Sequence, residues 1–493
     1  FDGNTSHTGG AIFNSGGTME IVDTIFKNNK IIDGSGGDTI NIEGSAIYNK
    51  SGTLKIVGST FELNNTAGGT IASPSRTYVD IVKSDFLNNT ASTLGGVLYN
   101  GRYNIVDSGF HGNSVQKAEH GGGVAAYVTA SVVGSDFVSN STKGSGGVFY
   151  VSNLSINDSI FKSNSASLYG GVIYNTANYT ATIANSLFGG DDAADGNSSS
   201  GDGGVLYGAA GSTFNIYNSD FKNNKTSGDG GAILTQGALT IANSVFDSNK
   251  AVINTNSGSG GAIQGYAGSI ITVTNSDFTN NEAIVGGAIE LYDGGSKIDI
   301  STSNFVNNTS YGGGGALSIH KNNSGVISNS IFKGNTTSAY TGSSYDKALL
   351  SGAGGAIYAA YTNLTINNST FGGTLDTDAN KAQYGGAIYF SNTQYHGNTG
   401  TSSLTINNSD FINNVASVQA GAIYHDGGTL NINGSTFSGN HTNYGGGAIR
   451  AVWGAELVID SSKFLNNWVS TTDSTSHNGD GGAIYSNATS VTI

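Results

Sequence analysis

The sequence predicts an all-β protein, a right-handed parallel β-helix of about 17 coils. Three observations predict it. A tetrapeptide Phe-x-x-Asn recurs from end to end, as at Phe61, Phe86, Phe110, Phe137 and Phe161. A second motif, Gly-Gly-Ala-Ile or a close relative, alternates with it, for example from Gly122, Gly146, Gly170, Gly203 and Gly230. The composition also lacks the residues that cover exposed helices: charged residues are 11% of the chain, against roughly 25% in an average soluble protein.

Each element of a coil has its own reason. The segment before the Phe alternates apolar and polar residues, as in Leu364-Thr365-Ile366 and Leu404-Thr405-Ile406, which is the pattern of a strand with one buried face. A Ser usually follows and then the Phe, which is expected indoors as the largest side chain of the coil. The Asn three residues later is expected at a bend, because Asn tolerates left-handed backbone angles and can bond to its own turn or to the Asn of the next coil. The Gly pair supplies a second bend, where missing Cβ atoms let stacked backbones approach.

Successive Phe residues are commonly about 24 to 27 residues apart, a period that signals a solenoid. Three short strands per coil, stacked at about 4.8 Å, would give a rod roughly 80 Å long. No linker divides the sequence, so residues 1–493 read as one continuous β-helix, a fragment of a longer surface protein. Gly-, Ser- and Asn-rich stretches after Phe188, Phe246, Phe332, Phe371 and Phe464 read as loops ejected from the coil. Phe1 opens inside a motif, and Val491-Thr492-Ile493 stops in a strand pattern. The rod is therefore expected either to continue or to stack end to end with other copies.

Charge and cysteine content exclude several functions. The net charge of −14 lacks the basic stripe that phosphate neutralisation needs, which argues against nucleic acid as a partner. No stretch approaches the ~18 apolar residues of a spanning helix, so this segment is not expected to insert in a membrane. With no cysteine, thiolate catalysis and Cys-ligated metals are excluded.

The alternation of Gly-Gly-Ala-Ile with Phe-x-x-Asn resembles the repeat of the polymorphic outer-membrane proteins of chlamydiae. The form Leu-Thr-Ile-Asn-Asn-Ser-x-Phe at Leu364 to Phe371 and Leu404 to Phe411 is similar to adhesin-like surface proteins of methanogenic archaea. The resemblance covers nearly all of the chain. It implies an extracellular, surface-exposed β-helical passenger that attaches to a protein or glycan on a host or neighbouring cell.

Two groups of residues are candidates for function. The position after Gly-Gly-Ala-Ile is often aromatic, and Tyr99, Tyr150, Tyr174, Tyr207, Tyr358, Tyr389 and Tyr424 are the candidate binding residues. Gln264, Glu290 and Arg450 take the same position in other coils, and polar substitutes there suggest an outward-facing stripe. Such a stripe offers ring faces to sugars or partner proteins; the other reading is a tyrosine ladder that only shields the coil. The second group lies where two coils break the Phe-x-x-Asn rule. Phe188-Gly189-Gly190 leads into Asp191, Asp192 and Asp195, and Phe371-Gly372-Gly373 leads into Asp376 and Asp378. These carboxylates could offer oxygen ligands to calcium, or form solvated loops. Lys381 stands where a calcium-binding helix–loop–helix motif needs Gly, which favours the loops.

No residue is assigned to catalysis and no cofactor is required, calcium being the one candidate ion. Arg76, Arg102 and Arg450 stand apart from acidic constellations, and His111, His120, His320 and His425 show no metal-ligand spacing and are read as surface or turn residues. The expected function is a non-enzymatic adhesin-like rod at the cell surface. A filament or sheath subunit assembled end to end is the first alternative, and a polysaccharide lyase or hydrolase the second.

Overall fold

Side-chain alternation builds the coil. Along Thr53–Val57, Leu54 and Ile56 are buried while Thr53 and Lys55 face solvent. The strand pairs in parallel and in register with Tyr78–Val82 of the next coil, so that Ile56 meets Ile81 and Ile81 meets Ile105. Every such pairing repeats the same inward residue one step along.

The computed structural model describes residues 1–32, 43–74, 77–117, 121–251, 258–339, 352–392, 402–470 and 480–493. They form two compact units, Phe1–Gly228 with Ala232–Gly237 and Asp229–Gly231 with Ala238–Ile493. Each unit is a parallel β-helix. Among the described residues, helix is confined to two 3-10 turns, Ala193–Asp195 and Asp376–Asp378, and no helix is long and apolar enough to cross a membrane. The coil has three faces, as the sequence predicts, but one of them is made from two consecutive strands. The Phe strand and a two-residue strand after the Asn form the other two faces.

In the first unit Phe26, Phe61, Phe86, Phe110, Phe137, Phe161, Phe188 and Phe221 are fully buried. Their rings stack at 4.7 to 4.9 Å, nearly parallel. The second unit repeats the stack from Phe246 to Phe464 at the same spacing, the last ring being only half-buried. Burying each ring contributes roughly 1.5 to 3 kcal/mol, and the in-register stack makes one column of them.

The Asn of each motif forms a second column inside the turn. Nδ2 of Asn89 donates to Phe61 O at 2.8 Å and to Oδ1 of Asn113 at 3.0 Å, while its own Oδ1 accepts from the backbone N and Nδ2 of Asn64. Both hydrogens and the carbonyl of a fully buried amide are thereby satisfied. The left-handed bend falls one residue earlier than the sequence reading placed it: Asn88 has φ 53°, Asn223 55° and Asn307 55°, and the ladder Asn follows each. Ser residues before the Phe form a further ladder, Ser59 N donating to Ser84 Oγ at 3.1 Å and Ser84 N to Ser108 Oγ at 3.1 Å.

The Gly pair is required by contact. A Cβ on Gly96 would lie 2.2 Å from Gly123 O, and one on Gly123 would lie 2.2 Å from Gly147 O. At such positions an added Cβ would overlap the backbone of the next coil, and in this chain Ala420 and Ser45 take a Gly position in two other coils.

Candidate binding surface

The tyrosines occupy one register position in each unit. In the first, Tyr99, Ala126, Tyr150, Tyr174 and Tyr207 are successive partners. Tyr150 and Tyr174 stack at 5.3 Å, and Tyr174 and Tyr207 at 5.2 Å. Where Ala126 interrupts the column, the neighbouring Tyr127 fills the gap edge-on, 6.4 Å from Tyr99 and 5.6 Å from Tyr150. Tyr169 adds a ring 4.9 Å from Tyr207. In the second unit Tyr358, Tyr389 and Tyr424 stack at 5.5 and 5.0 Å. Arg450 follows Tyr424 in register and places its guanidinium 4.1 Å from the Tyr485 ring.

The stripe does not stand out from the coil as the sequence reading expected. Six of the seven tyrosines are half-buried, and Tyr358 is only 8% exposed. At Tyr99 the ring folds over the Gly pair: a Cβ on Gly68 would lie 3.7 Å from its Cδ1. Burial pushes the Tyr150 phenol up to about 12, with Tyr127 and Tyr174 beside it adding to the rise. Tyr99, Tyr174 and Tyr424 move the same way, also chiefly through burial. These phenols therefore stay neutral hydrogen-bonding groups at ordinary pH.

The polar substitutes correct the outward reading more sharply. Gln264 and Glu290 are 1% and 2% exposed, and Glu290 Oε1 meets Nε2 of the buried His320 at 2.9 Å. His425 is fully buried, its Nε2 against Gly428 O at 3.0 Å, and burial lowers its pKa to about 4. Two of the four histidines read as surface or turn residues are thus core residues. Spacing could not reveal this, because the burial comes from the neighbouring coils. His111 is exposed, and Arg102 reaches the Tyr78 hydroxyl at 3.1 Å. Arg76 and His120 lie outside the described residues.

The candidate calcium residues sit on, or just before, two 3-10 turns. Asp195 pairs with Lys162 at 2.9 Å and Asp191 with Lys222 at 3.1 Å, while Asp192 points to solvent. Asp376 is exposed, and Asp378 closes its own turn by accepting from Leu375 N at 3.3 Å. Among the described residues no three acidic or histidine side chains converge. Beside the first turn, Ile160, Lys162, Leu187, Asp191, Asp220 and Lys222 line a surface groove.

The Gly-Gly bend, the buried Phe and the inward Asn identify the repeat on which this surface is built. The family model of the Chlamydia polymorphic membrane protein repeat matches residues 158–176, 218–236, 329–360 and 434–452. Four stretches of the chain match that repeat. They run through coils in both units, and the first of them ends two residues after Tyr174. No curated protein matches the chain. One solved structure, a mutant of the PL6 family alginate lyase AlyGC, aligns over 100% of this chain and 96% of its own at 9% identity and a TM-score of 0.15, a likeness too slight to carry any argument.

Proposed function

We propose that the chain is a non-enzymatic, adhesin-like segment displayed outside the cell, binding glycans or proteins of a host or neighbouring cell. The observation that supports this reading is the tyrosine column, of which Tyr174 and Tyr358 lie within stretches that match a membrane-protein repeat. Stacked rings held against the coil lose little freedom when a ligand arrives, and their half-exposed edges and neutral hydroxyls suit sugar rings or a polar protein face. One such contact is weak. Repetition along consecutive coils turns weak contacts into useful avidity.

The experiment compares the whole chain with two triple variants on a glycan array and on intact cells. Replacing Tyr150, Tyr174 and Tyr207 by Ala, or Tyr358, Tyr389 and Tyr424 by Ala, is expected to lower binding roughly tenfold or more with an unchanged circular dichroism spectrum. Undiminished binding by both variants would sink the tyrosine surface. Cleavage of an acidic or neutral polysaccharide by the purified chain would replace the adhesin with an enzyme.

A further inference from the structure

In the second unit the register position that carries tyrosine elsewhere is held on three successive coils by Gln264, Glu290 and Ser318. All three are buried, at 1%, 2% and 0% exposure. Each keeps one oxygen without a hydrogen-bond partner among the described residues: Oε1 of Gln264, Oε2 of Glu290 and Oγ of Ser318. Buried polar groups are almost always satisfied, and three orphans on neighbouring rungs of one column are therefore unusual.

Glu290 is the centre of the trio. Its Oε1 is engaged by His320 Nε2 at 2.9 Å, which leaves Oε2 as the unmet half of the carboxylate. Nε2 of Gln264 donates to Gly265 O at 3.3 Å, which leaves its carbonyl as the free end. The nearby ammonium of Lys321 is committed elsewhere, 3.7 Å from the centre of the Tyr292 ring and 3.3 Å from Asp293. With coils about 4.8 Å apart, Gln264 and Ser318 stand in register on the coils before and after Glu290. Carboxylate, amide carbonyl and hydroxyl are the donor set of hard, oxygen-preferring cations.

We propose that Gln264, Glu290 and Ser318 bind a hard cation between coils, with His320 positioning the Glu290 carboxylate. The ion would neutralise a buried charge and tie three coils together where the tyrosine stack is absent. It owes nothing to the acidic turns at Asp191 and Asp376, and it stands whether or not the adhesin reading does.

The test uses the full chain freed of ions by a chelator. Tb³⁺ is titrated first, its emission sensitised by Tyr292 and Tyr358, whose rings lie 5.5 and 6.4 Å from the His320 ring. Ca²⁺, Na⁺ and K⁺ are then titrated as competitors and by calorimetry. One saturable site is expected, displaced by Ca²⁺ if the ion is divalent and by Na⁺ or K⁺ if it is monovalent. Glu290→Gln should weaken it at least tenfold, while Asp191→Asn and Asp376→Asn should leave it unchanged. A hundredfold excess of the bound ion over its Kd should raise the melting midpoint by on the order of 5 °C, and not in Glu290→Gln. Should that variant fail to fold, Gln264→Leu and Ser318→Ala carry the test, each with a several-fold loss. Absence of saturable binding by all four ions, or binding that survives these substitutions, overturns the proposal and leaves the three oxygens to internal water.

Discussion

After Phe188 and again after Phe371 the coil makes the same detour. Gly189 and Gly372 have φ of +91° and +86°, a 3-10 turn follows, and its last Asp returns a backbone carbonyl to the preceding coil, Asp195 O to Ser163 N at 2.8 Å and Asp378 O to Gly334 N at 2.9 Å. An Asn of the next coil braces both from the other side, Asn223 donating to Gly190 O at 2.8 Å and Asn413 to Gly373 O at 2.9 Å. The difference is charge. In the first detour Lys222, in register with Gly189, meets Asp191; in the second the residue in register with Gly372 is Ile412, and Thr374 stands in the place of Asp191. The backbone route is thus set by Gly-Gly and by the closing Asp and Asn, whereas the face it presents is free to vary.

The strongest test of this shared route is steric. A Cβ at Gly189 would lie 1.9 Å from Lys222 O, and one at Gly372 would lie 2.0 Å from Ile412 O. Gly189→Val and Gly372→Val should each cost more than about 4 kcal/mol in urea unfolding; a much smaller loss in one copy breaks the equivalence. Next, Asn197 and Asn380 end the two detours and rejoin the buried amide ladder. Leu at either site strands a Phe carbonyl and the amide of the neighbouring Asn, an expected loss of about 3 kcal/mol or more, equal in both.

Acid separates the units themselves. His425 in the second unit is neutral when folded, its pKa lowered to about 4 by burial, while an unfolded His titrates near 6.5. The unfolded chain therefore takes up the proton first. Stability is complete above about pH 6.5 and falls as the pH drops toward 4, by roughly 3 kcal/mol at the limit. His441 shifts in the same direction. His7 and His111, the described histidines of the first unit, are exposed. Monitored by hydrogen exchange between pH 7 and 4, the second unit should loosen more than the first, and His425→Phe should remove most of the gap. A gap that persists undiminished in the variant would show that carboxylates set the acid response.

The smallest effect sharpens the charge difference. Lys222→Ile in the first detour, or Thr374→Asp with Ile412→Lys in the second, should change stability by less than about 1 kcal/mol, because the Asp191 side chain is 93% exposed. The sign of the salt dependence should follow the ion pair from one unit to the other.

The periodic parts of this architecture were legible because they repeat. Phe61 could be placed indoors and Asn89 in an inter-coil ladder from spacing alone, and each lies there with its counterparts, although the bend expected at Asn89 falls at Asn88. What spacing could not give was the direction of a side chain at a position of mixed chemistry. Tyr, Gln and Glu share one column, and polarity pointed outward; yet the ring of Tyr99 folds over a Gly pair and Glu290 is enclosed by its neighbours. Nor could sequence show that Asp195 would spend its carboxylate on Lys162, since the lysine belongs to the preceding coil.

The amide ladder also has a direction. Each Asn gives its side-chain N–H to the following coil and receives one from the preceding coil, through Asn64, Asn89, Asn113 and Asn140 in turn. A recombination event that removes or duplicates one whole coil rejoins a donor to an acceptor and a Phe to a Phe. A junction half a coil out of phase does not, and it breaks the Phe, Ser and Asn columns together. Such a gene can change length in whole periods without learning a new fold, while its loops and tyrosines diverge on an unchanged frame.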